Sequence, residues 1–347
     1  MMNDCRSLKT ALILALAILT IALPACARPA DEQGPGTEQL LAWADTFRYQ
    51  GLNEEALEVC AAILDADRGN IEALLLRGQV LIAEDRLDEA LRDFTQALKR
   101  QPRNALALVG RARVYLARGN QPQAKADAQK ALKLTDAAVD KEDANAATWY
   151  ARGVAKVILQ NDTALQDFVM ALSLDPALMD AHSERAHLYV AEGRPADALD
   201  QLARAVEVRP DYAVGYVARA RIHYEMGNLS ESVADLDRAL AINPQYARAW
   251  HNRGLINVER GYYREAITDL TSAIIAKPGY ASAHVYRGQA YLEFDNPSAA
   301  RADFEAAMEH DPKGWAGKTA ADMLSDMGVE EPPVPPSTAP PPEAPTI

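Results

Sequence analysis

The chain has 347 residues, 49% of them apolar and 6% aromatic, and carries a formal net charge of −13. That much apolar sequence is enough for a folded core, and so acidic a chain would work against its own field on DNA, RNA or an anionic lipid surface, which sets nucleic acid aside as a partner. Three cysteines, at positions 5, 26 and 60, do not amount to a disulfide framework.

At the N-terminus, Arg6 and Lys9 form a short basic head, Ala11 to Leu23 is a run of thirteen residues that are all Ala, Leu or Ile except Thr20, and the small residues Pro24-Ala25-Cys26-Ala27 follow. This is the layout of a secretory signal peptide over residues 1–25. The run is shorter than the roughly 20 residues of a spanning helix, so membrane contact is expected only through a lipid. Two cleavage sites compete. Leu23-Pro24-Ala25-Cys26 resembles the lipobox of bacterial lipoproteins, whose Cys takes a diacylglycerol and becomes the new N-terminus, although Pro24 departs from the usual small residue. Ala25-Cys26-Ala27 also satisfies the A-x-A rule and would release a chain starting at Arg28 into the soluble periplasm or the medium. A Cys directly behind Leu-x-Ala at the end of the apolar run favours lipidation at Cys26, and Ala27 after it resembles the outer-membrane sorting class. Asp4, Arg6 and Lys9 leave with the signal, a net +1, so the mature chain carries −14. Residues 26–36, rich in Gly, Pro and polar side chains, read as a flexible tether, and Cys60 reads as core filling.

From residue 37 the chain repeats itself. Ala247-Arg-Ala-Trp250-His-Asn-Arg253-Gly254 aligns with Ala281-Ser-Ala-His284-Val-Tyr-Arg287-Gly288 at an offset of 34 residues, and the same offset carries Ala266 onto Ala300, Leu270 onto Phe304 and Pro278 onto Pro312. Extended backwards it yields eight units, 37–70, 71–104, 105–138, 146–178, 179–212, 213–246, 247–280 and 281–314. Each holds two amphipathic stretches with apolar residues three and four apart. Gly51, Gly119, Gly193, Gly227 and Gly261 stand between the stretches, where a left-handed C-cap is wanted, and Pro102, Pro176, Pro210, Pro244 and Pro278 stand at the exit. Gly78, Gly153, Gly254 and Gly288 fall inside helices, which predicts close approach of helix backbones there. This spacing resembles the tetratricopeptide-repeat (TPR) family, which implies an all-α fold: an α-solenoid of eight stacked helix-turn-helix units. The insertion at 139–145, with Asp136 in place of the closing Pro, predicts a soft joint dividing three repeats from five. Ala316, Ala320, Met323, Leu324 and Met327 have helical spacing and predict a capping helix over 315–328; residues 329–347 are Pro-rich and predict a disordered tail.

Repeat position 7 is Arg and position 23 is Asp in six units: Arg77 with Asp93, Arg111 with Asp127, Arg152 with Asp167, Arg219 with Asp235, Arg253 with Asp269 and Arg287 with Asp303. The first unit replaces both, with Trp43 and Val59, and the fifth keeps Arg185 opposite Gln201, which leaves that arginine in want of another acceptor. Because the two positions belong to opposite helices of one hairpin, they predict partly shielded ion pairs that fix hairpin register rather than a ladder of ligand contacts.

The family resemblance further implies that the first helix of each unit lines a concave groove. The candidate groove residues are Leu75, Ile82, Val109, Arg113, Leu116, Tyr150, Val157, His187, Val217, Arg221, Tyr224, Val258 and Leu292. They are mainly apolar, and no unit carries the Lys and Asn with which co-chaperone TPRs clamp a peptide C-terminus. An extended or helical protein segment is therefore the expected partner, with packing between neighbouring first helices as the competing role for these side chains; self-association stays open. No catalytic, metal or cofactor constellation stands out: the six histidines lack the i, i+4 pairing of a zinc helix, and there is no phosphate loop, nucleophile elbow or CxxC. The expected function is an envelope interaction scaffold and not an enzyme; a soluble periplasmic holdase and a non-catalytic subunit of an envelope enzyme complex are the alternatives.

Overall fold

The computed structural model describes residues 35–328; the expected signal peptide 1–25, the expected lipidation site Cys26, the expected linker through residue 34 and the Pro-rich segment 329–347 lie outside them. The described residues form seventeen α-helices and no strand. Eight hairpins follow one another: α1 Thr37–Tyr49 with α2 Asn53–Ala66, α3 Ile71–Ala83 with α4 Leu87–Arg100, α5 Ala105–Ala117 with α6 Gln121–Val139, α7 Ala146–Ile158 with α8 Ala164–Leu174, α9 Met179–Ala191 with α10 Pro195–Val208, α11 Ala213–Glu225 with α12 Leu229–Ile242, α13 Ala247–Glu259 with α14 Tyr263–Ala276, and α15 Ala281–Glu293 with α16 Pro297–His310. α17, Trp315–Asp326, comes last. The chain divides into two compact units, one ending at Pro244 and one starting at Gln245.

Within the first unit, each hairpin stacks on the next, and Leu74, Leu108, Val154 and Phe168 belong to one continuous core. Cys60 is buried in that core, and burial pushes its thiol up to about 12, so it acts as a small apolar side chain and not as a nucleophile. In the second unit, α17 buries Ala316, Ala320 and Leu324 against the last hairpin, and the Asp311 carboxylate accepts hydrogen bonds from the N–H groups of Gly314 and Ala316 at its N-terminus.

The joint expected at 139–145 is not a division: α6 packs on α7, and the units separate at Pro244 instead. Nineteen residues long, α6 runs on to Val139 and takes up part of the inserted sequence. Glu142 then turns the chain with φ +56°, and the Asn145 side chain caps α7 through the N–H of Thr148.

The turn inside each hairpin needs one left-handed residue. Gly119, for example, has φ +73°, while Asp85, Gln160 and Asp295 hold the same place with φ +60°, +58° and +54°. A side chain with a Cβ is strained there, so Gln160→Gly is expected to raise stability by about 1 kcal/mol and Gly119→Gln to lower it by a similar amount. Thermal melting of the two variants checks this.

Gly78, Gly153, Gly254 and Gly288 answer to a side chain rather than to a neighbouring backbone, contrary to the expectation above. A Cβ on Gly153 would lie 2.6 Å from the Phe168 ring, one on Gly288 2.6 Å from Phe304, and one on Gly254 2.6 Å from Leu270. The large residue at position 24 leans on the bare Cα of its own hairpin, and Phe94 does so on both Gly78 and Gly110.

Candidate functional site

Six of the seven position-7 arginines meet the aspartate of their own hairpin. Five pairs share one geometry, with Nε and Nη2 donating side-on to the two carboxylate oxygens: Arg77 to Asp93 at 2.8 and 2.7 Å, Arg111 to Asp127 at 2.6 and 2.9 Å, Arg219 to Asp235 at 2.8 and 2.6 Å, Arg253 to Asp269 at 2.9 and 2.6 Å, Arg287 to Asp303 at 2.8 and 2.7 Å. In the fourth unit, whose turn is one residue shorter, both Arg152 nitrogens donate to one oxygen of Asp167, at 3.1 and 2.7 Å, and Lys156 Nζ lies 2.8 Å from the other. Every one of these carboxylates is buried. Burial alone would raise the Asp303 carboxyl, but hydrogen bonds from Arg287 and His284 outweigh it and hold it below the usual carboxylate range.

The candidate groove residues divide between the two units. In the first unit Val109, Tyr150 and Val217 are buried between helices, which withdraws them from any ligand. Leu75, Ile82, Leu116, Val157 and Tyr224 are half-buried, and only His187 and Arg221 are exposed. Arg113, instead of facing a partner, pairs with Glu184 of α9. The repeats of this unit curve until α1 touches α11, so that Arg48 meets Asp180 at 2.8 Å and the Tyr49 ring stands edge-on to Tyr212 at 5.4 Å. Guanidinium groups of Arg48 and Arg209 lie 4.1 and 4.6 Å from the Tyr49 ring centre. Arg48, Arg113 and Tyr150 of the first-helix layer are thus engaged or buried within the chain itself.

In the second unit Val258 and Leu292 are half-buried on α13 and α15, the layer of first helices. The same layer carries a row of rings: Tyr280 stacks on His251 at 4.7 Å, His251 meets Tyr286 at 5.6 Å, and Tyr286 meets Trp315 at 5.8 Å. Trp315, at the first position of α17, is 55% exposed. Sequence periodicity missed it because it lies outside the apolar stripe of its helix. Among the described residues no three His, Cys, Asp or Glu side chains converge as a metal site would require, and no helix is long and apolar enough to cross a membrane.

Burial holds the imidazoles of His182 and His251 below their usual range, against opposing hydrogen bonds to the Pro176 carbonyl and the Asn252 side chain. Both are therefore neutral when folded at pH 7, and protonation favours the unfolded chain. Their contribution to stability is complete above the unfolded value of about 6.5 and is lost as pH falls toward the depressed folded values. The urea midpoint is accordingly expected to drop between pH 7 and pH 5, and His251→Gln to flatten the drop in the second unit.

Family models described as "Tetratricopeptide repeat" match residues 41–93, 75–139 and 251–314, and one described as "TPR repeat" matches residues 220–261. The chain belongs to the tetratricopeptide-repeat family. No curated protein matches it. Among solved structures, an APC/C hetero-tetramer Cut9–Hcn1 aligns over 84% of this TPR chain and 55% of its own at 17% identity with a TM-score of 0.57, a likeness of fold. The crystal structure of MamA aligns over 46% of this chain and 95% of its own at 26% identity with a TM-score of 0.42. A tetratricopeptide repeat protein from Parabacteroides merdae aligns over 83% of this chain and 97% of its own at 19% identity, with a TM-score of 0.43. TPR arrays mediate protein–protein interaction and are typically non-catalytic scaffolds.

Proposed function

We propose that this protein is a non-catalytic scaffold of the bacterial cell envelope, tethered through a lipid on Cys26, that holds a protein segment presenting apolar side chains against the first-helix layer of its second unit. The observation that carries the reading is the row Tyr280, His251, Tyr286 and Trp315, which ends in a largely exposed tryptophan. Exposed Trp and Tyr are the side chains that anchor partners, since they offer large contact area for little conformational entropy. Val258 and Leu292 add half-buried apolar surface on the same helices. The basic head, apolar run and Leu-x-Ala-Cys at the N-terminus support export and lipidation.

Two measurements test the two halves of the proposal. Photocrosslinking from a benzoylphenylalanine at position 315 of the full chain in its own cells is expected to give a discrete protein adduct that the same probe at exposed Glu309 does not give; equal adducts from both positions would remove the localised site. The mass of the mature N-terminus is expected to be that of a diacylated Cys26, and a chain starting at Arg28 would make the protein a soluble periplasmic or secreted one instead.

A further inference from the structure

The fifth hairpin breaks the pairing rule in a way that leaves a vacancy with defined chemistry. Gln201 stands where six sibling hairpins have Asp, and its amide is engaged elsewhere: Gln201 Nε2 contacts His182 Nδ1, while His182 Nε2 lies 3.0 Å from the Pro176 carbonyl. A neutral imidazole carries one proton. The carbonyl requires it on Nε2, so Nδ1 accepts from the Gln201 amide and holds it there. Arg185 Nε is left buried without a hydrogen-bond partner, and its Nη2 donates to the Tyr189 hydroxyl at 3.1 Å. The guanidinium nonetheless stands as in the paired hairpins. It is 5.7 Å from the ring of Tyr189, four residues on, against 5.9 Å for Arg111 over Tyr115 and 5.9 Å for Arg287 over Tyr291. An unpartnered buried N–H is costly, and here it is held in the position that accepts a carboxylate elsewhere.

A cleft of about 350 Å³ opens at this point, and Leu172, His182, Arg185, Gln201, Arg204 and Val208 are among the residues that line it. Arg204 adds positive charge from the exposed face of α10 and pairs with Asp200 at 2.8 Å; Glu207, exposed at the rim, opposes an entering anion.

We propose that the fifth repeat is a carboxylate-binding site, in which a ligand carboxylate lies side-on to Nε and Nη2 of Arg185 in the place of the missing aspartate, with the ligand's apolar portion against Leu172 and Val208. On binding, the Nη2 bond to the neutral Tyr189 hydroxyl is exchanged for a charge-assisted pair, and the orphaned Nε–H is satisfied. The two hydrogen bonds ask for a planar, two-oxygen group, which a carboxylate supplies. Two sources share this chemistry, a small free monocarboxylate and an acidic side chain of a protein.

The test follows the arginine Nε–H resonances of the full chain by NMR at constant ionic strength, during titration with sodium butyrate, with N-acetylglutamate N-methylamide and with sodium sulfate. The Arg185 signal, assigned by its absence in Arg185→Met, is expected to shift and saturate with a carboxylate, and to need at least about tenfold more sulfate. Saturation at lower concentration by butyrate assigns the site to free acids; the reverse order assigns it to a protein side chain. Gln201→Asp copies the arrangement of the eighth hairpin, where Asp303 serves both His284 at 2.9 Å and Arg287, so its Arg185 signal should start at the shifted position and ignore all three titrants. Should that variant not fold, loss of the carboxylate-induced rise in melting temperature in Arg185→Met carries the same conclusion. No saturable response, an equal response to sulfate, or an undiminished thermal response in either variant would overturn the site.

Discussion

Replacing Asp167 with alanine is expected to destabilise the first unit by about 3–5 kcal/mol, the cost of leaving buried charge without its counterion. Asp167 is 1% exposed and answers two cations at once, Arg152 and Lys156, whose side chains are only 15% and 12% exposed. Its loss turns an attraction into a repulsion between two shielded positive groups on one helix face. Asp136, 3.4 Å from Arg152 but half exposed, offers a poorer acceptor, and stacking of Arg152 over Trp149 at 4.4 Å persists; both pull the effect toward the lower end of the range. A surface pair such as Arg301–Glu305, with side chains 53% and 52% exposed, should lose no more than about 1 kcal/mol when cut. Urea unfolding monitored by circular dichroism separates the two. An Asp167→Ala midpoint equal to that of the parent would mean that the hairpin clip is not a structural element.

Truncating Phe168 to alanine is the second large effect, expected at about 3–5 kcal/mol from lost transfer energy and the cavity that remains. The ring is fully buried and lies where a Cβ on Gly153 would have to go. Gly153→Ala alone is therefore expected to cost about 1–3 kcal/mol by overpacking. In the Phe168→Ala background the added methyl has room, so the double variant should be more stable than the sum of the singles predicts. Strict additivity in that cycle would show that ring and glycine do not share the space.

The fold was legible because one hairpin of 34 residues is written eight times, and each copy corrects the reading of the others. The Arg and Asp positions were legible for a local reason: they sit 15 or 16 residues apart on facing helices of one hairpin, so their joint presence and joint loss show in the sequence. Arg48 and Asp180 are 132 residues apart and Arg113 and Glu184 are 71 apart, so their meeting depends on how far successive repeats curve, which no single repeat encodes. Groove and packing roles were indistinguishable for Val109, Tyr150 and Val217 for the same reason. The insertion at 139–145 looked like a hinge because it breaks the period, yet α6 lengthens to Val139 and the remaining residues turn the chain so that α7 still packs on α6. Trp315 escaped notice because it stands outside the apolar stripe of α17, which was all that the periodicity was used to find.

The scaffold reading is tested most directly by hydrogen–deuterium exchange on the full chain, with and without the partner captured at position 315. Protection is expected in α13, α15 and α17 of the second unit, with α1 to α12 unchanged. Protection confined to the first helices of the first unit, or none anywhere, would contradict it.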